Sequence, residues 1–588
     1  MPLFQDFVRR NIRCLAFDTE TTGLDIFQPD FQVRLAQFGT ENEAWVLPVE
    51  LGERYRWLAL QTLNHAQALV CHNATFDLLV AEKTLGANLR RLYSKTTDTQ
   101  ILSRLVDSRS FKEGGHGHSL EELTRAFIDP AVATDIKGSI GRLATEMKVS
   151  KAKFWKVVPL DHDGYTLYAG FDVILTSMLA RILHRKVPAS ARKLVRYEHD
   201  LAAICAEIQR NGFLMDRAYT ERQVRELGEI ETHWVMQAEA ELLSHTEYEG
   251  ETYYDLDEVQ WGSTQQMALA FMDRGICEFT FTDTGQLQVD EAFLNKWAER
   301  GEPLAEAIRE AKKAAKWRKT WFQSFLDNAD PDDRCHANIN TMEARTARMS
   351  ITGFPAQTLP AGQAFVRNCL LADPGEVIAS IDYSNMELRV MAALSGDPVM
   401  TKAFLEGQDL HQITADAAGV SRSGGKTGNF SKAFGGGAQA IADGAGVSLE
   451  IGQQISDAFD NTYKGVTRFS KKLQKEARWK GYVESATGRR LYVDKSRAYS
   501  ALNYVVQSTS RDITGAALVR LDKAGFTNAM RLPIHDEILF SFPENEAKEL
   551  AEEASRIMHH TIRGMPVPTD PEVAGRSWGS LYEGDTKH

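Results

Sequence analysis

Residues 380–392 read Ser-Ile-Asp-Tyr-Ser-Asn-Met-Glu-Leu-Arg-Val-Met-Ala. The apolar run from Val377 to Ile381 predicts a short buried strand that ends at Asp382. A carboxylate in this position can hold a metal ion when a second carboxylate meets it.

A polar hairpin tip supplies such a second carboxylate. Residues 531–542 form two apolar arms around His535-Asp536-Glu537, a pattern typical of a β-hairpin. Asp536 lies far from Asp382 in sequence, so only the fold can bring the two aspartates together. A His-Asp-Glu tip alone is also typical of an exposed turn, but its pairing with the earlier stretch favours a metal site.

A stripe of basic and aromatic side chains lies between these two segments. Arg422, Lys426, Phe430 and Phe434 follow one another at intervals of four residues. On a helix this spacing gives a slowly drifting stripe ~18 Å long. Its basic half can bind a triphosphate and its aromatic half can stack on a base or sugar. An ordinary amphipathic helix fits the same pattern when it is considered alone.

Together the three segments resemble motifs A, B and C of the family A DNA polymerases. The usual form of motif A is DYSQIELR, and here Asn385 replaces Gln and Met386 replaces Ile. The resemblance implies that Asp382, Asp536 and the backbone of Tyr383 bind metal. It places Glu537 among the catalytic residues and implies that Glu387 is the steric gate that blocks a ribose 2′-hydroxyl.

The resemblance also implies the dNTP contacts. Lys426, Arg422 and His411 would bind the triphosphate and Phe430 the sugar; a phenyl ring there implies discrimination against dideoxynucleotides. Phe434 stands where the family usually has Tyr, so a hydroxyl is lost. Three glycines also interrupt this helix, each at a cost of ~1 kcal/mol relative to Ala: Gly424, Gly425 and Gly428. We expect the helix to order when dNTP binds, which hydrogen exchange of residues 422–434 would report.

Further matches concern DNA itself. Arg348, Gln357 and His535 match positions that contact primer-template in this family. Asn503 and Gln507, within Asn-Tyr-Val-Val-Gln, match readers of the minor groove near the primer end. The minor groove presents acceptors that all correct base pairs share, so such residues can check geometry without reading sequence.

A second group of acidic residues lies near the N-terminus. Asp18 and Glu20 are two apart at the end of a predicted strand and therefore share a face. Two further pairs, each four residues apart, are predicted to share a helical face: Asn73 with Asp77, and Tyr168 with Asp172.

These pieces resemble the motifs of the DEDDy 3′–5′ exonucleases. The resemblance implies that four carboxylates bind metal (Asp18, Glu20, Asp77 and Asp172) and that Tyr168 orients the attacking water. Oxygen ligands suit Mg²⁺, with Mn²⁺ as an alternative, and two ions per active site suit in-line displacement at phosphorus. The substrate here would be the 3′ end of single-stranded DNA.

We therefore expect an α/β multidomain protein in which a ribonuclease H-like 3′–5′ exonuclease domain precedes a right-hand polymerase domain. The predicted boundaries are 1–190 for the exonuclease domain, 191–345 for the thumb and connecting helices, 346–405 for the first part of the palm, 406–484 for the fingers and 485–588 for the second part of the palm.

Bulk composition sets further limits. The net charge of −12 does not exclude a nucleic-acid partner, because phosphate binding depends on local charge. The basic stretch at 312–319 is one candidate for a duplex contact. The six cysteines form no CxxC pair, which argues against zinc and disulfides. No apolar run approaches the ~18 residues of a membrane span, so a cytoplasmic protein without a membrane partner is expected.

The expected function is template-directed addition of dNTPs to a primer, with proofreading, during DNA replication. The first domain begins at the N-terminus, which leaves no room for a 5′ nuclease and suggests a compact phage-type replicase in a bacterial host. We expect a monomer that binds primer-template DNA and replisome proteins. The alternatives are an organellar or bacterial repair enzyme, an exonuclease with a DNA-binding C-terminal region, a single-subunit RNA polymerase-like enzyme, and a non-enzymatic scaffold.

Overall fold

The computed structural model describes residues 2–246, 260–261, 263–282, 284–360 and 362–583. Residues 247–259, which belong to the predicted thumb range, lie outside the described residues. The chain divides into two compact units. The first unit comprises Met1–Phe213, His336–Thr352 and Ala372–Arg576, and the second comprises Leu214–Cys335, Gly353–Leu371 and Ser577–His588. The predicted domain boundaries stay predictions.

The first unit begins with a five-stranded sheet of order β3-β2-β1-β4-β5. The central strand β1 pairs antiparallel with β2 and parallel with β4. As the central strand of the sheet, β1 is buried along almost its whole length. The strands are β1 (Leu15–Thr21), β2 (Val33–Gly39), β3 (Ala44–Leu47), β4 (Leu69–Cys71) and β5 (Thr96–Asp98).

Ten helices accompany this sheet in the described part of residues 2–211. They are α1 (Pro2–Asn11), α2 (Glu53–His65), α3 (Ala74–Leu85), α4 (Leu89–Tyr93), α5 (Thr99–Val106), α6 (Leu120–Phe127), α7 (Pro130–Glu146), α8 (Lys151–Val157), α9 (Asp163–Lys186) and α10 (Arg192–Asn211). Gly212, at φ 66°, ends α10.

Helix α9 corrects one expectation. Its length and composition would allow it to cross a membrane, although no such run was expected from the sequence. The helix packs on β1 and β2 instead, and this contact with the sheet explains its apolar composition.

The second unit is built mainly from helices. Its elements are β6 (Phe213–Met215), α11 (Arg217–Thr246), α12 (Thr264–Asp273), β7 (Thr280–Phe281), β8 (Leu287–Gln288), α13 (Glu291–Glu299), α14 (Pro303–Lys316), α15 (Gln323–Asn328), β9 (Arg334–Cys335), α16 (Ala364–Arg367) and β12 (Leu370–Leu371). Strands β12, β6 and β9 form a small sheet in that order.

The basic stretch at 312–319 lies in this second unit, where α14 continues into a π-helix, Trp317–Phe322. The Trp317 ring lies 4.3 Å from that of Trp321, so the stretch packs through its tryptophans. Glu231 on α11 forms an ion pair with Arg318 at an N–O distance of 2.6 Å. Part of the basic charge is thereby neutralised within the unit.

The remainder of the first unit contains a four-stranded antiparallel sheet of order β16-β17-β13-β20. Its strands come from distant parts of the chain, with a helical segment between them. All the strands of this part are β10 (Asn338–Asn340), β11 (Ser350–Thr352), β13 (Glu376–Tyr383), β14 (Tyr482–Glu484), β15 (Arg490–Tyr492), β16 (Met530–Ile534), β17 (Glu537–Pro543), β18 (His560–Ile562), β19 (Met565–Val567) and β20 (Thr569–Val573).

Nine helices complete this part. They are α17 (Met386–Ser395), α18 (Pro398–Leu405), α19 (Leu410–Ala418), α20 (Arg422–Ala433), α21 (Ala438–Ala445), α22 (Leu449–Thr462), α23 (Lys464–Lys480), α24 (Ala501–Lys523) and α25 (Ala547–Met558). Helix α20 packs against α19, α21 and α22, and α24 packs against α10, α17 and α25.

A buried group of four charges joins α10 to α24 and to the β14–β15 hairpin. The carboxylate of Glu198 on α10 accepts hydrogen bonds from Arg511 at 2.7 Å and also from Arg489. Arg489 donates as well to Asp512, at 2.8 Å. None of the four side chains is more than 5% exposed. The two positive and two negative charges balance, as buried ions require.

Candidate active sites

The N-terminal acidic residues form a compact cluster. Asp18 and Glu20 project from β1, and Asp172 projects from α9, which lies against that strand. Carboxylate oxygens of these three residues all lie within 4.8 Å of one another. Asp18 and Glu20 were expected at a strand end, but β1 continues through Thr21, so Asp18 lies at the middle of the strand and Glu20 one residue before its end. Gln37 on β2 donates to Asp18 at 2.8 Å.

Asp77 is held beside this cluster by β1. Its Oδ1 accepts hydrogen bonds from the backbone N–H of Thr19 at 2.9 Å and from the Thr19 hydroxyl at 2.7 Å. Asn73 does not share a helical face with Asp77, because α3 begins at Ala74 and Asn73 has φ 61°. Asp98 fixes this bend by accepting from the N–H groups of Asn73 and Ala74.

The electrostatics of the cluster favour a bound cation. Burial, with some offset from the Gln37 hydrogen bond, raises the pKa of Asp18 to about 7. Burial and the neighbouring carboxylates raise the pKa of Glu20 and of Asp77 well above the ordinary range. Buried acids that repel one another are stable in the ionised form when a divalent cation lies between them. The donor set fits Mg²⁺ or Mn²⁺.

Tyr168 lies one helical turn before Asp172, and both line a cavity of about 440 Å³ with Asp18 and Asn73. Burial and the adjacent Asp172 raise the pKa of the Tyr168 phenol above its ordinary range. The hydroxyl therefore stays protonated at neutral pH and can both donate and accept hydrogen bonds.

The second site lies at the centre of the four-stranded sheet. The register places Asp382 opposite Glu537 on one side and opposite Asp570 on the other. The N–H of Tyr383 donates to the carbonyl oxygen of Asp536 at 3.3 Å. The aspartates predicted from the two distant segments are therefore adjacent, and both line one cavity of about 370 Å³.

Asp382 opens into this cavity but is flanked by other acids. Burial, followed by the charges of Asp536 and Glu537, raises the pKa of Asp382 to about 7. Burial also raises the pKa of Asp536. Glu537 points to the strand instead, where Ser380 donates to it at 2.5 Å. Two facing carboxylates with raised pKa values fit a divalent cation, as in the first cluster.

Glu387 lies in the first turn of α17 and lines the same cavity. Arg348 forms an ion pair with it. Burial raises the pKa of Glu387, while Arg348 opposes that effect. Burial and Arg348 lower the pKa of His535, which also lines the cavity. Arg348 thus lies among side chains of the site rather than on an open surface.

A cationic cavity of about 470 Å³ adjoins the acidic one. His411, Arg422, Lys426 and Phe430 line it. Arg422 pairs with Asp409 at 2.5 Å, and both side chains are largely exposed. Lys426 has no acidic partner among the residues that the structure describes. Phe430 and Asn385 line both cavities, so the two lie side by side at these residues.

His411 is positioned by a buried amide. Asn429 contacts the Nδ1 of His411 at 3.0 Å and accepts from Thr414 at 2.7 Å. The His411 ring lies 5.6 Å from that of Phe430. Burial lowers the pKa of His411. The neutral ring can therefore offer Nε2 to the cavity.

Helix α20 is continuous through its glycines, which serve packing. A Cβ on Gly425 would lie 2.2 Å from the carbonyl oxygen of His411, and one on Gly428 would lie 2.3 Å from Ile455. The glycines thus let α20 approach α19 and α22 closely. The helix ends at Ala433, so Phe434 caps it instead of lying on its stripe; its ring stacks on Phe430 at 6.2 Å.

Three other predicted residues lie in different surroundings. Gln507 on α24 lines the acidic cavity. Asn503, one turn earlier, does not, and its buried Oδ1 has no hydrogen-bond partner among the described residues. Gln357 belongs to a 3-10 turn of the second unit, Ala356–Thr358.

Sequence reasoning missed several residues of these sites. Ser510, Arg511 and Thr514 line the acidic cavity on the same face of α24 as Gln507. Their spacing from Gln507 is helical, and that spacing was the one available signal. No sequence pattern pointed to Asp570 or Gln37. Only strand pairing places Asp570 beside Asp382 and Gln37 beside Asp18.

Comparison with known proteins agrees with this arrangement. The family described as DNA polymerase family A matches residues 233–580, and a family described as 3′–5′ exonuclease matches residues 5–188. The DNA polymerase of Mycobacterium phage L5 is 48% identical over 583 residues, covering 99% of this chain and 96% of that protein. The DNA polymerase of Mycobacterium phage D29 is also 48% identical, with the same coverage.

More distant proteins share the fold. DNA polymerase I of Pseudomonas aeruginosa is 27% identical, covering 97% of this chain and 64% of that protein. A solved structure of the POL domain of Pol1 from M. smegmatis, in complex with DNA primer-template and dNTP, has a TM-score of 0.74. It is 20% identical and covers 98% of each chain.

Proposed function

The chain belongs to DNA polymerase family A, and from this premise we propose how its two carboxylate sites act. The protein is a DNA-directed DNA polymerase with a 3′–5′ exonuclease. The predicted family, the fold class of an exonuclease domain followed by a polymerase domain, and the enzymatic activity are confirmed. The geometry of the two sites supports the residue roles that we propose.

One observation carries the polymerase assignment. The cavity that holds Asp382 and Asp536 adjoins, at Phe430 and Asn385, the cavity that holds Arg422 and Lys426. A nucleoside triphosphate needs this combination, because its reacting phosphorus must meet metal-bound oxygens while its outer phosphates meet cations. Neither an exonuclease with a DNA-binding C-terminal region nor a scaffold requires it.

We assign two divalent cations, Mg²⁺ or alternatively Mn²⁺, to each site. Asp382, Asp536 and the backbone of Tyr383 would hold those of the polymerase site, and the four N-terminal carboxylates would hold those of the exonuclease site. When bound, such ions supply a lowered pKa for the attacking hydroxyl or water and charge neutralisation for the leaving group.

The side chains around the polymerase carboxylates position the incoming dNTP. Lys426, His411 and Arg422 offset the phosphate charge, and Arg422 reaches the phosphates after leaving Asp409. Breaking the Arg422–Asp409 pair costs little free energy, because an exposed ion pair contributes only ~0–1 kcal/mol to stability. Phe430 offers a ring to the sugar, and Phe434 extends the aromatic surface.

Glu387 selects the sugar in this scheme. Its ion pair with Arg348 holds the carboxylate at the cavity wall, where it would meet a ribose 2′-hydroxyl. This placement supports dNTPs over rNTPs and disfavours the RNA polymerase-like alternative.

We assign the DNA contacts to residues around and beyond this cavity. Gln507 and His535 line it and would meet the primer-template near the primer end. Arg348 would do so through the part of its guanidinium that does not face Glu387, while Asn503 would donate an amide N–H to the shared acceptors of the minor groove. We assign Gln357 a contact with primer-template DNA as well.

In the exonuclease site the chain supplies both a water-orienting group and metal ligands. The protonated Tyr168 hydroxyl and Asp172 lie on one helical turn, suited to hold the attacking water. Thr19 fixes Asp77 through two hydrogen bonds. The substrate is the 3′ end of a single DNA strand.

We propose that the protein works as a monomer on primer-template DNA and dNTPs, alongside replisome proteins, in the cytoplasm of a bacterial host. The similarity to mycobacteriophage polymerases supports this setting. We further assign residues 1–190 to the exonuclease domain, 191–345 to the thumb, 346–405 and 485–588 to the palm, and 406–484 to the fingers.

Single substitutions test the assignment of two sites. Asp382→Ala should reduce primer extension by at least about 10³-fold and leave 3′–5′ degradation intact, whereas Asp18→Ala should do the reverse. Gels of primer extension and degradation, with and without dNTPs, measure both activities. Loss of both activities in one folded variant would contradict two separate sites.

A further inference from the structure

Helix α23 differs in charge from the chain as a whole. The protein has a net charge of −12, yet this 17-residue helix has seven basic residues and one acidic residue. The acidic residue, Glu476, is paired with Lys480 at 2.7 Å. The helix is therefore a cationic element in an acidic protein, and local charge governs phosphate binding.

Five of its exposed cations lie along one side. Successive members of this set are four, three, one and three residues apart, and at ~100° per residue this spacing keeps them within one face of a helix ~25 Å long. All are exposed, and none pairs with an acidic side chain among the described residues: Lys464, Arg468, Lys471, Lys472 and Lys475. We call these five residues the basic stripe.

An exposed aromatic residue ends the basic stripe. Trp479 lies on the same face and is 80% exposed, the joint highest exposure among the large hydrophobic side chains described. An open indole ring can stack on an unpaired base, whereas the bases of a duplex are already stacked on one another. Trp479 therefore favours a single strand over a duplex as the occupant.

A second exposed segment adjoins the Trp479 end of α23. The N–H of Val493 donates to the carbonyl oxygen of Gly481 at 3.0 Å, which places the chain after β15 beside the end of the helix. This chain forms the 3-10 turn Lys495–Ser500, which packs on α23 and exposes Lys495 and Arg497.

The turn also reaches the candidate nucleotide site. The carbonyl oxygen of Tyr499 would lie 3.0 Å from a Cβ on Gly435. Gly435 directly follows Phe434, and Phe434 and Tyr499 are 42% and 49% exposed. Exposed aromatic and cationic groups therefore run from the end of α20 through the turn to the basic stripe.

We propose that the basic stripe and Trp479 bind the single-stranded part of the template ahead of the active site. The stripe would neutralise backbone phosphates and Trp479 would stack on a base, so the contact would not depend on sequence. The proposal rests on the proposed function only in that the template strand is a substrate of this chain.

The test compares affinities for two primer-templates. One has a one-nucleotide template overhang, and the other has an overhang of about twelve nucleotides, enough for a single-strand site. The variants are Lys471→Glu/Lys475→Glu and, separately, Trp479→Ala. The matched control, Lys548→Glu/Arg556→Glu, reverses two exposed charges on α25.

We expect the wild type and the control to bind the long overhang on the order of tenfold more tightly than the short one. Both stripe variants should lose this gain and still bind the short overhang and add one nucleotide as the wild type does. For the long overhang, the slope of log K against log salt concentration should also become shallower in the charge-reversal variant. The expected change is about 1.4, or about 0.7 for each lost phosphate contact.

Three results would overturn the proposal. The stripe variants could still bind the long overhang more tightly than the short one, as the wild type does. They could instead lose affinity equally for both substrates, which would indicate a duplex contact. They could also bind both DNAs normally and instead fail to bind an acidic replication protein. Failure of the wild type to extend the short overhang would contradict the proposed function itself and is distinct from all three.

Discussion

His535 has a backbone conformation that few residues other than glycine adopt. Its φ is 56°, at the first position of the two-residue turn between β16 and β17. Glycine is usual at that position in hairpin turns of this kind. The backbone hydrogen bonds of β17 to β16 and to β13 hold the strained turn in place. Asp536 is therefore fixed beside Asp382 before any ligand binds.

The buried acids predict how stability depends on pH without metal. Asp18 has a pKa of about 7 in the folded protein and one near ~3.9 in an unfolded chain. Between these values the folded state holds a proton that the unfolded state has lost, so stability falls as pH rises through this window. The slope is at most ~1.4 kcal/mol per pH unit for each such group.

Asp18→Asn should therefore stabilise the metal-free protein at pH 7.5 more than at pH 5. Thermal unfolding in a chelator measures this difference, and added Mg²⁺ should stabilise the wild type more than the variant. Glu53→Gln, at a side chain 91% exposed, is the control. A constant difference between variant and wild type across the pH range would contradict the burial of an acid here.

Glu387 predicts sugar selection at the second site. Glu387→Ala removes the carboxylate from the cavity wall, so the ratio of rNTP to dNTP incorporation should rise by on the order of 10²-fold. Single-nucleotide incorporation kinetics measure it. Arg348→Met, which removes the ion-pair partner but keeps the carboxylate, should raise the ratio less. Equal ratios in wild type and Glu387→Ala would remove Glu387 from this role.

At the scale of single elements, the glycines of α20 show how packing can outweigh helix propensity. Gly425→Ala should raise propensity by ~1 kcal/mol, yet its Cβ would meet the backbone at His411. Backbone cannot move aside as a side chain can, so we expect a net loss of ~1–3 kcal/mol and weaker dNTP binding. Urea unfolding and KM for dNTP measure these effects.

Gly141→Ala is the matched control for that change. Gly141 lies inside α7, and nothing lies within 4 Å of the position of its Cβ. This substitution should stabilise the protein by ~0.5–1 kcal/mol. If Gly425→Ala stabilised the protein as much as the control, α20 would not be as close to α19 as described.

The same elements show what sequence could predict. Strand β13, the β16–β17 hairpin and the α20 helix were predicted because each has a local pattern of apolar, polar or basic residues. The glycine contacts could not be predicted, since they depend on which helices face α20. Sequence suggested a helix loosened by glycine, whereas the fold uses the missing Cβ atoms for close approach.

At the scale of the whole molecule, the buried four-charge group predicts a large stability effect. Glu198→Gln would leave Arg489 and Arg511 buried with Asp512 alone. A buried charge without its partner costs ~3–5 kcal/mol, so denaturant midpoints should fall strongly. Adding Arg511→Met, which restores charge balance, should recover part of the loss. Glu41→Gln, which breaks the exposed pair with Arg181, should change stability by less than ~1 kcal/mol.

This charge group also marks the limit of sequence reasoning. The four residues lie on α10, the β14–β15 hairpin and α24, and none belongs to a recognisable motif. Arg511 shares a helix face with Gln507, but only tertiary packing brings Glu198 to it. Motif residues of both sites could be predicted because their chemistry recurs in families, whereas the residues that hold the sites together could not.

The order of the elements along the chain has a consequence for biosynthesis. The acids of the first cluster all lie between residues 18 and 172, whereas the four-stranded sheet needs β20, which ends at Val573. Chains emerge from the ribosome N-terminus first, and early domains fold first. The residues that we propose for the exonuclease site are thus all synthesised long before the last strand of the sheet that holds the proposed polymerase site.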